Sequence, residues 1–185
     1  MTSRPDDPLL TLEPLIEAVR EGVESMGWTL SGLQKTTSHQ FEGRWAGDSS
    51  RSAYLFFHRP EGPEWASVDV FLDETTQGLM GNLALVVDAR RLGEVGGAAA
   101  CLAALAKMAA GSFPAGLGTP ITLRFRLDDA GAAPEDAETE ARFKVRIPRA
   151  TLRAGAGAAR DQSAAAVAAF GRLMDDPALR PFLEE

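Results

Sequence analysis

The chain holds a single cysteine, Cys101, among 185 residues. No disulfide within the chain and no cysteine-rich zinc site follow from that, and a reducing compartment suits it. Histidine is almost as scarce, with only His39 and His58. A catalytic zinc site usually takes three protein ligands at close spacing, and no His-x-x-x-His pair exists to start one. Long apolar runs are missing too. The longest nearly uncharged apolar stretch, "VGGAAACLAALA" at 95–106, falls short of the ~20 residues a membrane span needs and reads as a buried helix. The opening "MTSRPDDPLL" has no apolar core of a secretory signal. Gly-x-Ser-x-Gly and the Gly-Lys-Ser/Thr phosphate loop are both absent.

Positive charge is in deficit. The formal net charge is −7, which disfavours nucleic acid as a partner. Apolar residues make up 45% and charged residues 24%, a balance that suits one globular domain with a core. The expected partition is a flexible leader over 1–10, a single domain over 11–178 and a tail over 179–185. Two mobile connectors are expected within the domain, at 129–140 and 149–160.

The first element is an amphipathic helix. Leu12, Leu15, Ile16, Val19, Val23 and Met26 share one face, Thr11 stands at the cap position and Gly27 at the stop. Period two then takes over. Strands are expected at 28–35, 39–46, 52–59, 64–73 and 79–88, joined by short turns that imply antiparallel neighbours. "SAYLFFHR" (52–59) is apolar on both faces, as in a central strand covered twice. An alanine-rich helix follows at 92–110, with Cys101 buried and its thiol inert.

"TPITLRFRLDD" and "ARFKVRIPR" form the most regular hairpin. Ile121, Leu123, Phe125, Phe143, Val145 and Ile147 alternate with basic side chains, as in a sheet with one wet face. A last helix is expected from a cap at Asp161 through Val167, Phe170 and Met174. The fold class is therefore α+β. One antiparallel sheet of about six or seven strands carries helices mainly on one face, in the order α-βββββ-α-ββ-α.

Three features are candidates for chemistry. "RAGAGAARDQ" resembles a dinucleotide loop, but the third small residue is replaced by Arg160 and no strand follows the helix, so it reads as a linker without a cofactor. Asp69 and Asp73 share a strand face at about 13 Å, beyond the spacing of paired catalytic carboxylates. No nucleophile or acid–base set stands out, and catalytic, cofactor and metal residues are all expected to be absent.

The third feature is the basic side of the hairpin. Arg124, Arg126, Arg142, Lys144 and Arg146 are expected to project together, with Arg153 and Arg160 continuing the trend through the linker. Two readings are open. One is a solvated face whose charges blunt a sheet edge. The other is a docking face for an anionic ligand or for a protein partner, through an acidic or extended segment.

The order helix, strands, helix, hairpin, helix resembles the type III secretion chaperone-like group of small acidic bacterial proteins. The resemblance runs from "LEPLIEAVREGVESMGW" to "RFRLDD…ARFKVRIP…AAAVAAFGRLM". This chain has one or two more strands before the second helix than the usual three, and no functional residue carries over. The resemblance implies a cytoplasmic, non-enzymatic chaperone or adaptor. It also implies a homodimer and extended partner segments held on apolar sheet or helix surface; Trp28, Trp45, Trp65 and Phe71 are the candidate contacts if exposed. Two alternatives stand beside it. One is an immunity-type inhibitor that uses the basic hairpin face. The other is a small-molecule binder with a sheet–helix cleft lined by a polar cluster around His58 and Asp69.

Overall fold

The computed structural model of the chain describes residues 10–37, 51–62, 64, 66–88, 121–126 and 140–177. Helix α1 (Leu12–Glu24) comes first. Strands β1 (Thr29–Thr37), β2 (Arg51–His58), β3 (Ala66–Thr75) and β4 (Gly78–Asp88) follow, then β5 (Ile121–Arg126) and β6 (Glu140–Arg146). Helices α2 (Arg149–Ala154) and α3 (Ala156–Met174) complete the order. The protein is α+β with one antiparallel sheet. The expected strand at 39–46, the helix at 92–110 with Cys101, the connector at 129–139, the tail from 179 and most of the leader lie outside the described residues.

The described strands lie in the order β1-β2-β3-β4-β6-β5, each antiparallel to its neighbour. The first four form a meander, each pairing antiparallel with the strand before it in the chain. β6 then enters between β4 and β5. β4 and β5 consequently point the same way with β6 between them.

Helices α1 and α3 pack together over one face of the sheet. Leu12, Leu15, Ile16, Val19 and Val23 of α1 meet Ala53, Leu55 and Phe57 of β2, Val68, Val70 and Leu72 of β3, and Phe143 and Val145 of β6 in one core. Ala166, Val167, Phe170 and Leu173 of α3 join it. The period of α1 supplies this stripe, as expected, but Met26 falls beyond the helix and is exposed. Thr11 stands at the N-cap without making a side-chain cap bond.

The two helices approach at Gly22. A Cβ there would sit 2.4 Å from the Arg160 carbonyl oxygen. Beside it Ser163, a buried polar side chain of this core, donates its hydroxyl to the Ala159 carbonyl at 2.8 Å.

The segment expected as a linker differs. Residues 149–154 and 156–174 are helical, with Leu152 and Ala159 buried, so the last helix begins at Ala156 and not at Asp161. Gly155, at φ +105°, makes the break between α2 and α3. Tertiary burial overrides the low helix propensity of Gly157, which costs about 1 kcal/mol relative to alanine.

Candidate functional site on the open face of the sheet

Strand alternation sends every second side chain away from the helices. On β2 these are Ser52, Tyr54, Phe56 and His58. On β3 they are Ser67, Asp69, Phe71 and Asp73, on β4 Met80, Asn82, Ala84 and Val86, and on β6 Arg142, Lys144 and Arg146. The registers keep these sets on one side of the sheet, since directly opposite residues share a face.

The β1–β3 half of this face is aromatic. The Tyr54 and Phe71 rings are cross-strand neighbours, 4.9 Å apart between centroids. Phe56 stands opposite Gly32, where an added Cβ would come within 3.3 Å of Phe56 Cδ2, so the glycine leaves the ring its place. Tyr54 is 38% exposed and Met80 42%. Isolated apolar residues on a surface are ordinary, whereas grouped ones are a candidate contact surface.

Carboxylates interrupt the aromatic group. Asp73 accepts a hydrogen bond from Ser52 Oγ at 2.7 Å, and Asp69 accepts one from Ser67 Oγ at 3.3 Å. Asp69 also forms an ion pair with Arg142, Nη1 to Oδ2 3.5 Å. Lys144 and Arg146, further along β6, are exposed and form no ion pair among the described residues. The face therefore runs from aromatic and acidic over β2–β3 to basic over β6.

The structure brings together only part of the basic set. Arg142, Lys144 and Arg146 share the open face. Arg124 is the register partner of Arg142, and Arg126 that of Glu140, while their side chains lie outside the described residues. Arg153 and Arg160 do not extend this face. Ile147 is buried on the helix side, and Pro148 then leads the chain into α2 and α3, which pack on that side. Both arginines are exposed there, and Arg160 pairs with the adjacent Asp161 at 3.0 Å.

Two further expectations change. Trp28 is no surface contact. It is 2% exposed, with the Arg59 guanidinium 5.6 Å above its ring. Trp45 and Trp65 lie outside the described residues, whereas Phe71 is half-buried on the open face. Among the described residues no buried polar cluster gathers around His58 and Asp69, for His58 is exposed and Asp69 bonds to Ser67 and Arg142. Among the described residues no group of three or more His, Cys, Asp or Glu side chains gathers to hold a metal ion, and no helix is long and apolar enough to cross a membrane.

Tyr54, Phe56, Met80 and Asn82 did not stand out as site residues in the sequence. β2 reads as doubly covered because it is apolar on both sides. The signal against that reading was in β3, where Ser67, Asp69 and Asp73 alternate with Val68, Val70 and Leu72 and so announce one wet face for both strands. No family model, no curated protein and no solved structure matches the chain.

Proposed function

We propose that this protein is a non-enzymatic chaperone or adaptor that holds another protein against the open face of its sheet. One observation carries the reading. Tyr54, Phe56, Phe71 and Met80 remain partly or largely exposed on the side of the sheet opposite α1 and α3, bordered by Lys144 and Arg146. Aromatic side chains supply contact area at low entropic cost, and a charged border selects and orients the partner. The element order noted in the sequence agrees with such a role in a bacterial cytoplasm, and a homodimer is compatible with it.

The test compares tagged wild type with Tyr54→Glu, Phe71→Glu and a control, Glu17→Lys, on the exposed side of α1. Each is used to capture protein from a host lysate, with mass spectrometry as the readout. A partner held by wild type and control but lost from both face variants is expected. Retention indifferent to the face variants overturns the reading, as does the absence of any retained protein.

An immunity-type inhibitor is a second reading, favoured by the exposure of Lys144 and Arg146. It requires a tight complex that charge reversal at Arg142 and Arg146 abolishes and Phe71→Ser leaves intact.

A further inference from the structure

We infer that the cross-strand row Tyr54–Phe71–Asn82–Arg146 recognises an extended acidic segment of the partner, in which an apolar residue and a carboxylate stand four positions apart. The inference rests on the reading that the open face binds protein, and it specifies the chemistry of the partner.

The registers place the four residues directly opposite one another on four adjacent strands. Tyr54 faces Phe71, Phe71 faces Asn82, and Asn82 faces Arg146. Strands lie about 4.8 Å apart, so the row is about 14 Å long. An extended peptide rises about 3.3 Å per residue and turns every second side chain to the same side, so its positions i, i+2 and i+4 cover about 13 Å. Laid along the row, position i meets the paired rings, i+2 the Asn82 amide and i+4 the Arg146 guanidinium.

Charge decides which end of the row takes the carboxylate. Asp69 and Asp73 flank Phe71 on β3 and repel a carboxylate at that end. Arg146 and its same-face neighbour Lys144 attract one at the other end, and both are free of ion pairs among the described residues. Arg142 is engaged with Asp69 and adds no comparable site. The row thus joins an apolar platform to a basic end that forms no ion pair among the described residues, on a chain whose net charge is −7, which disfavours acidic segments elsewhere on the surface.

The experiment uses the full chain and a fluorescein-labelled peptide, Gly-Ser-Phe-Ser-Thr-Ser-Glu-Ser-Gly, with anisotropy as the readout. Binding is expected to weaken about ten-fold when the peptide Glu becomes Lys, when Phe and Glu stand two apart, and in Phe71→Ser. Arg146→Glu should prefer the Lys peptide, and Arg146→Gln should bind both peptides weakly. Circular dichroism verifies that each variant is folded. Equal binding of all peptides, or none by wild type, overturns the inference. If the lysate partner is still lost from Tyr54→Glu in that event, the function stands and only the peptide rule falls.

Two other occupants are also resolved. A dimer in sedimentation equilibrium that Arg146→Glu dissociates would assign the row to a second copy. Lack of hydroxyl-radical labelling at Tyr54 and Met80 in the free protein would assign it to the chain's own segments. Either result overturns the proposal.

Discussion

Arg142 on β6 pairs with Asp69 on β3 across the intervening strand β4, with Nη1 3.5 Å from Oδ2. β4 sets Ala84 opposite Asp69 and Val86 opposite Arg142, so the guanidinium spans the strand past a small side chain. The two side chains are 39% and 21% exposed, which limits the strength of the pair through solvent screening. A double-mutant cycle of Arg142→Ala and Asp69→Ala in urea is expected to give a coupling of about 0.2–1 kcal/mol that shrinks with added salt. A coupling near zero at low salt would show that the pair does not tie β3 to β6.

Gly22→Ala is expected to be among the most damaging single-methyl changes. Its Cβ would meet the Arg160 carbonyl oxygen at 2.4 Å and the Ser163 Cβ at 3.1 Å, and a backbone oxygen cannot swing aside. Overpacking of this kind costs about 1–3 kcal/mol, and here α1 and α3 must part. Chemical denaturation should show a lower midpoint. An unchanged midpoint would mean that the helices tolerate a wider separation.

Arg59 joins two ends of the core. Its guanidinium lies over Trp28 and 3.3 Å from Asp175, next to the last turn of α3, where a cation also meets the helix C-terminus favourably. Arg59→Ala is predicted to destabilise by about 1–2 kcal/mol. Arg59→Lys should recover only part, because an ammonium lacks the planar face that stacks on the ring. Full recovery by lysine in thermal melts would reduce the role of Arg59 to its charge.

Substitutions on the two sides of β2 should separate cleanly. Leu55→Ala removes a fully buried side chain and is expected to cost about 2–5 kcal/mol. Tyr54→Ser loses the ring pair with Phe71, worth about 0.5–1.5 kcal/mol, and should lower the melting temperature by only a few degrees. Similar losses at both positions would indicate that the open face is structural and does not serve contact.

Local pattern made several elements legible. Leu12, Leu15, Ile16, Val19 and Val23 recur at helical spacing and become the stripe of α1. Phe143, Val145 and Ile147 alternate with Arg142, Lys144 and Arg146 and become the two sides of β6. Adjacency between distant strands has no such local mark. Nothing around Leu83 or Val145 announces that β4 and β6 are neighbours, because that pairing depends on a crossover and on shared burial. The glycines at 155 and 157 misled for a related reason. Local propensity disfavours helix there, and the packing of Ala159 in the core, invisible in sequence, prevails. The candidate site was half visible. Its cations follow from alternation, whereas its aromatic half requires knowing which side of β2 the helices cover.

The insertion of β6 between β4 and β5 sets an order on assembly during synthesis. The meander β1–β4 emerges first and can pair strand by strand, but its β4 border stays open until residues 140–146 arrive. That border carries Leu83, Leu85 and Val87, and an unpaired apolar strand invites joining with another nascent chain. The final pairing joins segments far apart in sequence and is therefore a slow step. A chain that stalls on the ribosome before β6 exposes a sticky half-sheet, and ribosome-bound intermediates of this length are where aggregation should concentrate.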